Sequence, residues 1–212
     1  MVPGILEIKL ATTLMAGWMA AASPVPIPSQ AVALLLEARV ATPVEIKLYD
    51  ENLRVNATVV LERDGTTDPV TKKQVAQLFR CRDTNRAHSI STKTLAMIAD
   101  VADRYEGKTL EFVSAYRVRR GESRTSPHRA ARAIDFRIRG VKLREIRDYL
   151  WRRYTEVGVG WYPEDQFIHI DSRPTLHDTS WTFLKGKNRY KPYWAEVARR
   201  PVRTPAARGA GS

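Results

Sequence analysis

The stretch SPHRAARAIDFRI, residues 126–138, decides how this chain is read. Its second half alternates, with Ile134, Phe136 and Ile138 on one face of a strand and Asp135, Arg137 and Arg139 on the other, because successive side chains point to opposite sides of a sheet. His128 stands seven positions before Asp135, in the preceding loop. That spacing by itself fits two solvated polar residues as well as two ligands of one metal ion.

A second strand downstream bears on the choice. In QFIHID, residues 166–171, Phe167, His169 and Asp171 share a face while Ile168 and Ile170 point oppositely. If the two strands are neighbours, Asp135 and His169 lie side by side and His128 reaches them from its loop. A His, Asp, His set leaves a tetrahedral zinc ion one open position, the arrangement a metal hydrolase needs to activate water. A half-buried His169 with an ordinary hydrogen-bond partner is the alternative.

Other elements follow from periodicity. Apolar residues alternate around Asp50-Glu51-Asn52 and again toward Asp64-Gly65, which predicts a β-hairpin over 45–66. Asp68 and Pro69 form an N-cap and first-turn pair, opening a helix that carries Val75, Leu78 and Phe79 to about Arg80. A second helix starts near Thr92, with Leu95, Ile98, Ala102 and Tyr105 on one face and Gly107 as its stop. TLEFVSAYR, residues 109–117, reads as a strand, and Leu143, Ile146, Leu150, Tyr154 and Val157 predict a third helix ending near Gly158. Helices ahead of strands separated by loops point to an α+β domain with an antiparallel-rich sheet.

A chain of 212 residues with 43% hydrophobic content supports one core. The net charge of +12 is concentrated: residues 117–153 hold thirteen Arg or Lys against four acids. Such a field favours polyanionic partners, among them nucleic acid, anionic lipid or a carboxylate-bearing wall polymer. Cys81 is the single cysteine, which excludes a disulfide framework within the chain and a cysteine-based zinc cluster. The apolar run Leu10–Ala22, with Ala20 and Ala22 in an A-x-A arrangement, predicts a signal peptide or membrane anchor over 1–24, although Glu7 cancels the charge of Lys9. A linker over 25–44, the main domain over 67–198 and a disordered Arg, Pro, Ala and Gly tail over 199–212 complete the division.

Three segments carry a family resemblance. Ser126-Pro127-His128 through Ala133-Ile134-Asp135 resembles the S-x-H-x-x-G-x-A-x-D motif of the D-Ala-D-Ala zinc carboxypeptidases and endopeptidases. Ser114 to Arg117, SAYR, resembles that family's S-G-Y-R segment, and GVGWYPEDQFIHID, residues 158–171, is similar to the ending of its murein endopeptidase branch. The resemblance implies the fold shared by those peptidases and the hedgehog signalling domain, with one zinc ion per chain on His128, Asp135 and His169. It places Arg117 against a substrate carboxylate or developing oxyanion, and Ser126 in the substrate cleft.

Two positions depart from the pattern. Ala131 stands where the motif has glycine, which costs least if φ there is negative. Gln166 occupies the place of a proton-accepting acid, so Asp165, one residue back, is the expected base, with Asp171 orienting a ligand. His88 and His177 read as surface residues, His177 at the rim. Trp161, Tyr162, Trp181 and Trp194 are either core or cleft wall.

These readings converge on an exported or periplasmic zinc peptidase acting on amide bonds of peptidoglycan stem peptides or cross-links. Two rivals are a zinc-containing wall-binding module without catalysis and a basic nucleic-acid binder. The latter has charge in its favour but no nucleic-acid-binding motif, so no nucleic-acid partner is expected.

Overall fold

The computed structural model describes residues 42–199. The signal or anchor segment, the linker up to residue 41 and the tail from residue 200 lie outside the described residues. No helix among the described residues is long and apolar enough to cross a membrane.

Among the described residues the architecture is α+β, an eight-stranded sheet with four helices. In chain order the strands are β1 (Val44–Asp50), β2 (Val55–Leu61), β3 (Thr109–Ser114), β4 (Ala133–Ile138), β5 (Val157–Tyr162), β6 (Phe167–Ser172), β7 (Thr179–Leu184) and β8 (Lys187–Tyr190). The helices are α1 (Pro69–Leu78), α2 (Thr92–Arg104), α3 (Leu143–Arg153) and α4 (Tyr193–Ala198). Strand order is β2-β1-β3-β4-β6-β5-β7-β8, antiparallel except for the β1–β3 and β5–β7 pairs.

The predicted hairpin forms one edge of this sheet, with β1 joined to β3. Its turn is closed by the buried Asp50 carboxylate, which accepts from the backbone N–H groups of Asn52 and Leu53. Asp68 caps α1 by accepting from the N–H groups of Val70 and Thr71, and Pro69 follows it. The apolar faces of α2 and α3 (Leu95, Ile98 and Val101; Ile146 and Leu150) pack on the sheet, α2 against β1, β2 and β6, α3 against β4, β5 and β6. Ile134, Phe136, Ile168 and Ile170 meet them in the core.

The third helix stops at Arg153, four residues short of the predicted Val157. Val157 is instead the first residue of β5, its side chain buried by strand alternation where helical spacing had also accommodated it. β7 and β8 carry no alternation strong enough to predict them. Arg199, read as the start of the tail, is tethered: its guanidinium donates to the carbonyl of Trp151 and to Asp178, and lies 3.7 Å over the Trp151 ring.

Candidate metal centre

Strand register builds the site. Ser114, Asp135, His169, Gly160, Trp181 and Tyr190 stand opposite one another in turn across β3, β4, β6, β5, β7 and β8. Directly opposed residues project to the same face, so this row forms one line across the sheet. Gly160 interrupts it: a Cβ there would fall 2.5 Å from the Trp181 indole, so the missing side chain lets Trp181 lie across β5. Its ring then sits 5.0 Å from the His169 ring. Gly158 does the same for Asp171, whose carboxylate occupies the space a Cβ would need.

His128 comes from the loop between β3 and β4. That loop is tied at both ends: near its start Tyr116 N–H donates to Phe79 O, and at its end the N–H of Ser91, just before α2, donates to Ala131 O while the Thr94 hydroxyl on α2 and the Ser172 N–H on β6 donate to Arg132 O. The turn closes with Ala131 at φ +52°, its methyl fully buried. The condition under which alanine would cost least, a negative φ, is not met. Alanine here sits in the left-handed region glycine adopts freely, at a cost on the order of 1–2 kcal/mol.

Three side chains converge. His128 Nε2 lies 3.1 Å from His169 Nδ1 and 3.2 Å from Asp135 Oδ2, and His169 Nδ1 lies 2.8 Å from Asp135 Oδ1. All three residues are buried. For bonds of about 2.0–2.1 Å the edge of a zinc tetrahedron is roughly 3.3 Å, so these separations are nearly those of three ligands around one ion. The outer ring nitrogens are committed elsewhere: His128 Nδ1–H donates to Ala115 O at 2.6 Å, and His169 Nε2–H to Asp171 Oδ2 at 3.1 Å. These partners fix the tautomers that turn lone pairs of His128 Nε2 and His169 Nδ1 toward the centre, as metal-binding histidines require. The donor set, two imidazoles and a carboxylate, suits zinc.

Electrostatics fit a cation at this point. Burial raises the Asp135 carboxyl, but the His128 and His169 imidazoles beside it outweigh that and hold the group far below the usual carboxylate range. Burial lowers His169, yet Asp135 and Asp171 together push it up to about 9. Asp171, fully buried, is held down by His169 and by Arg173, whose Nη2 is 3.2 Å from Oδ2 and Nε 3.0 Å from Oδ1.

Arg117 and Ser126 both line a cleft of about 450 Å³ beside the cluster, with His128, His169, Tyr162, Trp181 and Tyr190. Arg117 Nη1 is 3.4 Å from Asp135 Oδ2, and its Nε is 3.2 Å from Glu122 Oε2. Asp165 is not brought to the cluster. It lies exposed in the β5–β6 turn and is not among the residues lining the cleft. Gln166, at φ +59°, is exposed in the same turn. His177 and His88 are exposed and neither lines the cleft.

The aromatics divide by alternation along β5. Tyr162 faces the cleft and accepts from Trp181 Nε1–H at 3.1 Å, while Trp161 faces oppositely and, with Trp194, brackets the buried Arg147 guanidinium at 4.5 Å from each ring. Glu122 also lines the cleft and escaped sequence reasoning. It sits among arginines in a loop with no periodicity, so nothing local marks it.

Fold and site together define an α+β protein with a buried His–Asp–His cluster apt for a divalent metal beside an open cleft. The chain belongs to the family described as peptidoglycan L,D-endopeptidase MepK, which matches residues 38–177. The probable peptidoglycan L,D-endopeptidase MepK of Haemophilus influenzae is 30% identical over 118 residues, 50% of this chain and 63% of that protein. Peptidoglycan L,D-endopeptidase MepK of Escherichia coli K12 is 34% identical over 80 residues, 33% of this chain and 43% of that protein. The chain therefore matches less than two thirds of the length of either relative. No solved structure matches it.

Proposed function

We propose that this protein is a zinc-dependent peptidoglycan peptidase, located in the periplasm or exported, that hydrolyses an amide bond in cell-wall stem peptides or their cross-links. The observation that carries the reading is the convergence of His128, Asp135 and His169 with both outer imidazole nitrogens already engaged. The names of the relatives favour an internal L,D bond. The order of the motifs supports the zinc-peptidase fold shared with D-Ala-D-Ala peptidases.

His128, Asp135 and His169 would hold a zinc ion, which when bound would supply Lewis acidity toward the scissile carbonyl and toward water. Asp171 keeps the His169 ring oriented, and Ala115 O does so for His128. Arg117 offers a guanidinium at the cleft for charge that develops on the carbonyl oxygen, and the Ser126 hydroxyl is a polar contact for the peptide. Of the two carboxylates lining the cleft, Asp171 is fully buried against His169 and Arg173, whereas Glu122 is only partly buried, with its Oε2 3.2 Å from Arg117 Nε and 3.8 Å from Arg119 Nε. Glu122 is assigned the role of proton acceptor in place of Asp165.

The wall-binding reading draws on the exposed Gln166 and distant Asp165. One experiment separates the two: metal analysis of the purified chain, followed by mass spectrometry of muropeptides after incubation with the zinc-loaded protein. One zinc per chain with new cleavage products supports the peptidase. Zinc without products on any cross-linked substrate supports the binding module.

A further inference from the structure

A second cavity shares Arg117 with the cleft and reaches the cluster through Ala115, whose carbonyl accepts from His128. It has a volume of about 250 Å³ and is lined by Arg80, Arg82, Arg117 and Arg119 against the single acid Asp83. Ser114 and Ala115 also line it. Ser114 begins the cross-sheet row, Asp135 and His169 follow, and Trp181 and Tyr190 of the cleft end it. The metal ligands thus lie between a cationic cavity and an aromatic, polar cleft, with Arg117 lining both.

The cationic side is prebuilt. Arg82 is tied to the buried Asp50 and to Leu78 O, and its Nη1 is buried with no hydrogen-bond partner. Arg80 is held by Asn85 and by Gln77 O. Arg119 is about half exposed, its Nε 3.8 Å from Glu122. Guanidinium groups fixed in this way match the planar, bidentate geometry of a carboxylate and lose little freedom on binding one. The volume falls below the roughly 300–1,000 Å³ of pockets for drug-sized ligands and suits one charged amino-acid arm.

We infer that this arginine cavity binds a free carboxylate of the peptide on one side of the scissile bond, while the Trp181–Tyr190 cleft holds the chain on the other. The inference rests on the peptidase reading and refines it, because a cluster with occupied ground on both flanks selects an internal bond. An exopeptidase acting at a carboxyl terminus needs only one flank of chain.

The test uses two cross-linked muropeptide dimers identical except that a free side-chain carboxylate of the stem peptide is intact in one and amidated in the other. With the zinc-loaded full chain, the free acid should have a KM at least about tenfold lower, in line with a charge-assisted hydrogen bond. Arg80→Gln combined with Arg119→Gln should erase that preference, with the loss in KM rather than kcat. Arg82 is left intact because its removal strands the buried Asp50. Equal KM values for the two dimers in the wild type, or an equal effect of the double variant on both, would overturn the inference. Should neither dimer be cleaved by zinc-loaded protein, the peptidase reading fails. The cavity is then judged by calorimetric binding of the same dimers, where tighter binding of the free acid, lost in the double variant, supports it and equal binding overturns it.

Discussion

Removing the charge of Asp171 tests how the metal centre is held. Its carboxylate is fully buried, receives His169 Nε2–H at 3.1 Å and pairs with Arg173. Asp171→Asn keeps an acceptor for the imidazole but not the charge that makes His169 a strong donor of its lone pair. Changes to such a partner typically cost about 10- to 100-fold in metal affinity, or roughly 1.4–2.8 kcal/mol. Gly158→Ala should reproduce the effect from the neighbouring strand, since its Cβ would lie 1.9 Å from Asp171 Oδ2 and 2.6 Å from Arg173 Nη2. The carboxylate must then shift by an ångström or more, enough to break its contact with His169. Overpacking adds about 1–3 kcal/mol of general destabilisation, so folding of each variant is checked by circular dichroism and thermal melting. The assay is competition for zinc with a chromophoric chelator at fixed pH, with His88→Ala, which does not line the cleft, as the control. Wild-type zinc affinity in both Asp171→Asn and Gly158→Ala, each folded, refutes the proposed orienting role.

Four further outcomes are expected. His128→Ala and His169→Ala should each lose most bound zinc by elemental analysis, because a two-ligand site binds far more weakly; full retention in both removes the metal assignment. Glu122→Gln should lower kcat by about 10²- to 10⁴-fold with zinc content intact, while Asp165→Asn stays near wild type; the reverse pattern restores Asp165 as the base. Ala131→Val should destabilise by about 2 kcal/mol or more in chemical denaturation, since a β-branched residue is strained at φ +52° and has no room where the alanine methyl is fully buried; a neutral result argues against that turn. For Glu111, burial acts upward but hydrogen bonds and charge from Arg137 and Arg139 prevail, so its folded pKa is depressed. The stability it contributes is present above the unfolded value of about 4.3 and lost as pH falls through the folded one, so Glu111→Gln should flatten the acid limb of a stability-versus-pH curve.

Local signals in the sequence determined the elements whose own residues set their structure. Asp68-Pro69 opens α1 because a carboxylate can cap two N–H groups of the very turn it begins. Ile134 to Ile138 and Phe167 to Asp171 alternate because each strand has one face turned to the helix-covered core, and that alternation put Asp135 and His169 on the same kind of face. The pairing that joins them was decided by the fold: β4 and β6 are adjacent although the whole of α3 and β5 lies between them in sequence. β5 was hidden because Gly158 and Gly160 lack the side chains that mark a strand, and they lack them to make room for Asp171 and Trp181, residues distant in sequence. Asp165 is close to the centre by residue count, but it sits exposed in the β5–β6 turn and does not line the cleft. Glu122 looked unremarkable and was carried to the cleft by the loop that holds His128. Sequence spacing measures distance along the chain, whereas a metal site depends on which strands the core packs side by side.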